Sequence, residues 1–140
     1  MTTIDTSASD NRQVRHIKLD NKLEALLFHD PETTKAGAGL DVHVGCALDP
    51  KTRQGLAHFC EHMLFMGSEK YPGENEYNEH VQKSGGYDNA YTSLTSTNYQ
   101  FEVSTEGFES TLDMFAQFFI KPLFNEGSVE REMKAVDSEN

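Results

Sequence analysis

Basic residues are scarce in this chain. Twelve Lys and Arg stand against 23 Asp and Glu, and the net charge is −11. Nucleic acid and anionic membrane surfaces both require basic patches, so neither is expected as a partner. A neutral or basic peptide suits the balance better. Cysteine is scarce too: Cys46 and Cys60 are the only two in 140 residues. Two thiols make no disulfide framework and fit a reducing compartment. No apolar run approaches the ~20 residues that span a bilayer. The polar opening, Met1 to Asp10, lacks the apolar run of a secretory signal, so a cytoplasmic location is expected. Internal repeats and low-complexity segments are absent, which excludes solenoid arrays.

What remains is a chain of 140 residues, 36% apolar and with nine Phe, enough for a single core. Residues 1–12 are rich in Thr, Ser and Asp and read as a flexible tail. Val14–Leu19 and Leu23–His29 read as strands joined by a turn at Asp20-Asn21. Asp30 to Gly39 carries Pro, Thr and Gly and reads as a loop. Leu40–Leu48 alternates, with Leu40, Val42, Val44, Cys46 and Leu48 on one face, which predicts a half-buried strand. A helix is expected over Thr52–Met66 with Gly67 beyond its end, apolar nearly all round and therefore buried. Cys60 within it reads as core filler. A polar helix over Glu74–Ser84 follows, then strands Tyr87–Thr95 and Asn98–Ser104. A helix over Phe108–Ile120 carries the stripe Phe108, Leu112, Phe115 and Phe119. The last helix, from about Ser128, turns Val129, Met133 and Val136 inward and reaches the final residue without a stop signal, which suggests a fragment of something larger. This order predicts an α+β fold, a largely antiparallel sheet with helices packed on one face.

The chemistry concentrates at His58-Phe59-Cys60-Glu61-His62. On a helix Glu61 lies about 60° to one side of His58 and His62 about 40° to the other. All three project from one face. Two neutral imidazoles at this spacing can hold a zinc ion, and a carboxylate beside them that does not ligate can take a proton from water. Burying three ionisable groups in an apolar helix costs several kcal/mol unless they pair or bind a metal, of order a few per group. Catalytic zinc takes a third protein ligand. The last helix offers Glu130, Glu132, Asp137 and Glu139. Glu132 and Glu139 are two turns apart and fall on one side, but position alone does not choose among the four.

The pattern H-x-x-E-H, with Met63-Leu64-Phe65-Met66-Gly67-Ser68 and Tyr71-Pro72 after it, resembles the insulysin/pitrilysin family of inverted zincin peptidases. Gly85-Gly86, Asn89-Ala90, Ala116-Gln117-Phe118-Phe119, Pro122-Leu123, Arg131-Glu132 and Ala135-Val136-Asp137-Ser138-Glu139 extend the resemblance from about residue 14 to the end. It implies a zinc endopeptidase acting on small peptides or unfolded polypeptides, with one Zn²⁺ per chain held by His58, His62 and Glu139. It implies Glu61 as general base and Glu132 as support from behind the ligands. Asn89 and Ala90 would sit on a strand edge that pairs with the substrate backbone. Residues 13–140 would be the N-terminal part of the zinc-binding domain, truncated at its C-terminal end. The missing domains would close a chamber, and the full-length protein could be a dimer. The isolated chain is then expected to be inactive. The alternative is a non-catalytic peptide- or zinc-binding fragment of the same fold.

Overall fold

The computed structural model describes Ser7 and residues 9–139. Residues 1–6 and 8, most of the expected tail, lie outside the described residues. The chain forms two compact units, one up to Thr34 and one from Lys35 onward.

The first unit is an antiparallel hairpin of β1 (Gln13–Lys18) and β2 (Glu24–His29). Its turn falls where expected. Leu19 N bonds Leu23 O at 2.9 Å, Asn21 Oδ1 accepts from Leu23 N at 3.0 Å, and Lys22 takes a positive φ of 74°.

The second unit holds β3 (Lys35–Val42), α1 (Leu56–Leu64), α2 (Glu76–Lys83), β4 (Tyr87–Thr92), β5 (Thr97–Ser104), α3 (Phe108–Ile120) and α4 (Glu126–Glu139). The three strands pair antiparallel in the order β3-β5-β4. Residues in register share a face, so Leu40, Tyr99 and Ala90 line up, as do Ala38, Phe101 and Asp88. Tyr99, Phe101 and Val103 of β5 are buried on that face. Against them pack Leu64 of α1, Tyr77 and Val81 of α2, and Met114, Phe115 and Phe118 of α3. The aromatic rings meet edge-on or tilted, as the ring quadrupoles favour: Tyr77–Phe118 at 4.8 Å, Phe101–Phe115 at 5.2 Å. The result is the expected α+β architecture, with its strands divided between two antiparallel ladders.

Several boundaries depart from the sequence expectation. The third strand begins at Lys35, inside the expected loop, and ends at Val42. Ala36-Gly37-Ala38-Gly39 pairs with β5, and Gly37 suits its place because β5 comes too close for a side chain there: a Cβ on Gly37 would lie 2.5 Å from Phe101 O. After Val42 the chain leaves the ladder, Cys46–Leu48 form a short 3₁₀ turn, and Val44 and Leu48 are exposed rather than buried. The first helix starts at Leu56, not Thr52. The Asp49 carboxylate accepts the N–H groups of Gly55 (2.8 Å) and Ala57 (2.9 Å), supplying partners that free helix-start donors need. That helix is less buried than its composition suggests: Leu56 and Cys60 face outward, so Cys60 is not core filler. The stripe of α3 is rotated towards Thr111, Met114, Phe115 and Phe118, leaving Leu112 partly exposed. In α4 the inward residues are Ser128, Glu132 and Val136, while Met133 is exposed.

Gly86, just before β4, holds the sheet close. A Cβ there would sit 1.9 Å from Glu102 O and 2.7 Å from Val103 Cγ1. Backbone cannot yield cheaply, so Gly86→Ala is expected to destabilise the chain by about 2 kcal/mol or more. Urea unfolding followed by circular dichroism checks this, and an unchanged midpoint contradicts the packing argument.

Candidate metal centre

The site lies on the inner face of α1, against α4 and the edge of β4. His58 and His62 stand one turn apart on α1, and their Nε2 atoms converge to 3.2 Å. Glu139, in the last turn of α4, places Oε2 at 3.3 Å from His58 Nε2 and 3.5 Å from His62 Nε2. Zinc bonds of 2.0–2.2 Å in a tetrahedron separate neighbouring ligand atoms by roughly 3.3 Å. The three observed separations match that edge length. Two imidazoles and one carboxylate are also a donor set suited to zinc. Among the described residues this is the one group of three His, Cys, Asp or Glu side chains whose ligand atoms come together this way.

Of the four acidic candidates on α4, the structure separates two from two. Glu132 and Glu139 turn to α1. Glu130 and Asp137 line a different groove, beside Arg53 and Phe59. Glu132 is buried and sets Oε2 at 3.2 Å from His62 Nδ1. A carboxylate on Nδ1 favours the proton there and leaves the Nε2 lone pair for a metal, the usual arrangement behind a ligating histidine.

Glu61 stands apart from the three. It is buried, and Thr92 Oγ1 donates a hydrogen bond to its Oε2. Thr92 in turn lies 3.4 Å from Thr97 Oγ1, which donates to Val44 O at 2.9 Å. The carboxylate is therefore fixed from the sheet side. Sequence reasoning passed over Thr92, and no local signal marks it: the contact joins residues 31 apart in the chain.

A second set of residues was also missed. Arg131 Nε lies 3.3 Å from Glu132 Oε1, and its Nη2 lies 2.9 Å from Glu74 Oε2. Ser128 Oγ donates to the other oxygen of Glu74. That hydroxyl, and then Arg131, hold the Glu74 carboxyl below the usual carboxylate range. The chain Glu74–Arg131–Glu132–His62 thus runs from the segment before α2 to the face of α1 that carries the two histidines.

A cleft of about 530 Å³ opens beside these groups, lined by His58, Glu61, His62 and Glu139 on one side and by residues 88–92 on the other. Strand β4 is an edge: among the described residues it pairs only with β5. Ser93 N bonds Ser96 O, and Ser104 N bonds Ser84 O, which fixes the alternation of the ladder. Asn89 and Tyr91 therefore turn their main-chain groups to β5, and Asp88, Ala90 and Thr92 turn theirs to the open edge. Both Asn89 and Ala90 line the cleft, but only Ala90 has main-chain groups directed outward. The Asn89 side chain is on the exposed, opposite face of the sheet. None of the described helices is long and apolar enough to cross a membrane.

The chain is similar to known proteins over nearly all of its length. The chain is 55% identical over 131 residues to a protein of Schizosaccharomyces pombe named as a zinc protease, mug138, covering 94% of this chain and 14% of that protein. It is 51% identical over 137 residues to the insulin-degrading enzyme of Homo sapiens, covering 98% of this chain and 13% of that enzyme. The crystal structure of pitrilysin superimposes with a TM-score of 0.93 at 40% identity, over 98% of this chain and 15% of that one. The chain thus spans about one seventh of the length of the relatives it matches. The sequence profile of the family described as insulinase, peptidase family M16, matches residues 24–140. With the family profile covering most of its length and the pitrilysin fold reproduced throughout, the chain belongs to the insulinase family of peptidases, family M16.

Proposed function

We propose that this chain is the N-terminal part of the zinc-binding domain of a zinc-dependent endopeptidase, with peptides as substrates. The observation that carries the reading is the convergence of His58 Nε2, His62 Nε2 and Glu139 Oε2 at the edge lengths of a zinc tetrahedron, with Glu61 beside them but outside the triad. His58, His62 and Glu139 would hold one Zn²⁺. Zinc in such a site supplies Lewis acidity, acidifying a water and polarising a carbonyl.

The chain's own residues do the rest. Glu61 accepts a proton from the attacking water and returns it to the leaving amine. Thr92 occupies Glu61 Oε2, so Oε1 is the oxygen that handles the proton. Glu132 keeps His62 in the tautomer that ligates, and Arg131 neutralises part of the buried charge on Glu132. A peptide added to the edge of β4 gains main-chain hydrogen bonds from Ala90 without a demand on its sequence, and Asn89 lines the cleft beside it. The far larger relatives support a chamber whose other walls come from further domains of a longer polypeptide.

Two outcomes follow. Glu61→Gln, in the polypeptide that carries this chain, is expected to keep one zinc per chain and to lose hydrolysis of a quenched fluorogenic peptide by about 10²–10⁴-fold, the usual share of a general base. Elemental analysis and the peptide assay check it, and either loss of zinc or undiminished turnover removes Glu61 from that role. Glu132→Gln is expected to weaken zinc binding by about 10–100-fold, measured by competition with a chromophoric chelator. An unchanged affinity would show that Glu132 does not act through His62.

The 140-residue chain lines both sides of this cleft but would form only one wall of the proposed chamber. Purified, it is expected to bind zinc but show no chelator-sensitive peptide turnover. Turnover abolished by a chelator would contradict the need for further domains.

A further inference from the structure

Among the described residues, Asp88 is the one carboxylate lining the cleft that neither the metal triad nor the proton transfer uses. It lies on the edge strand, half-buried, on the same sheet face as Ala90 and Thr92. Burial pushes its carboxyl above the ordinary range, and only its own backbone N–H opposes that; no cation contributes. On the adjoining helix α2, the Tyr77 hydroxyl is buried and has no hydrogen-bond partner among the described residues. Its ionisation is suppressed by burial and further by the charge of Asp88. Asn78, next to Tyr77, lines the cleft beside Asp88. One end of the cleft therefore holds a partly desolvated acceptor with no cation beside it among the described residues. Such a group carries an electrostatic penalty that an arriving cation relieves.

The strand gives this end a fixed place on a bound peptide. Asp88 and Thr92 are four residues apart, about 13 Å along β4, and Thr92 marks the position of Glu61. The outward main-chain groups of Asp88, Ala90 and Thr92 set the register of an added strand. A peptide residue lying directly opposite Asp88 sends its side chain to the same face, within reach of the carboxylate. Tyr87 and Asn89 occupy the other face and do not compete for it.

We propose that Asp88 determines specificity, selecting an Arg or Lys side chain at one position of the bound peptide, four residues along from the position opposite Thr92. The inference rests on the peptidase reading of the cleft and adds a basic peptide as the substrate class. Arg should be preferred to Lys, because its planar fork can meet the carboxylate through two donors.

The test uses quenched fluorogenic peptides in which a single Arg, or a single Gln, is moved along an otherwise neutral sequence. In the polypeptide carrying this chain, kcat/KM for Arg over Gln is expected to be about tenfold or more at one position and near one elsewhere. In Asp88→Asn and Asp88→Ser the ratio at that position should fall to about one. The ratio is taken within each protein, so a general loss of folded enzyme leaves it unchanged. A ratio that survives both substitutions overturns the proposal. So does an Arg preference spread evenly over all positions, which would reflect the overall acidity of the cleft. If no peptide is cleaved at all, the peptidase reading fails separately. The same ratio is then read as binding, by fluorescence anisotropy of labelled peptides on the Glu61→Gln variant, with the same two results deciding on Asp88.

Discussion

The contact between His62 Nδ1 and Glu132 Oε2 is the constraint on which the site depends. Helix α4 buries little apolar surface: of its inward residues, Ser128 and Glu132 are polar and only Val136 is not. Hydrophobic burial alone would hold such a helix weakly. What seats it is a run of polar contacts, Ser128 and Arg131 on Glu74, then Arg131 and His62 on Glu132. A buried carboxylate left without these partners would be costly, so the seated position is strongly preferred once they are in place. With Glu132 fixed, Glu139 two turns later is delivered to the two Nε2 atoms.

The sheet contributes from the other side. The aromatic core beneath β5 fixes the plane of the sheet, and Gly86 allows β4 to run tight against β5. Thr92 then reaches Glu61, and the open edge of β4 faces the cleft. The groups proposed to bind metal come from helices and those proposed to bind peptide from a strand edge, so rigid elements define both. Loops contribute few of the groups that matter here, a precise way to hold reacting atoms.

Much of this was legible in the sequence, for identifiable reasons. The helical spacing of His58, Glu61 and His62 is local, and so is the two-turn spacing of Glu132 and Glu139. Local geometry is what a sequence states most directly. Helix Phe108–Ile120 came out with its bounds intact because Gly107 and Lys121-Pro122 bracket it. Where the reading strayed, a distant partner had intervened. Asp49 reaches forward to cap α1 and moves its start. The Gly-rich segment 36–39 looks like a loop until the backbone of β5 lies against it. The alternation from Val44 to Leu48 is genuine, but the chain is drawn out of the ladder by bonds from Cys46 and Ala47 to Ser93 and Leu94. Thr92, Glu74 and Arg131 carry no local mark, since each acts through a residue far away in the chain or through a charge that any surface could bear. The choice of Glu139 among four acids came from family resemblance, and the geometry sets Glu132 and Glu139 apart from Glu130 and Asp137.

The central claim is that two imidazoles and one carboxylate converge to bind zinc. X-ray absorption spectroscopy at the zinc edge, on the chain loaded with one equivalent, tests it most directly. The account predicts two imidazole nitrogens and light oxygen scatterers at about 2.0–2.2 Å, with no sulfur. A sulfur shell near 2.3 Å, which would bring in Cys60 or Cys46, or a zinc shell without imidazole, would contradict it.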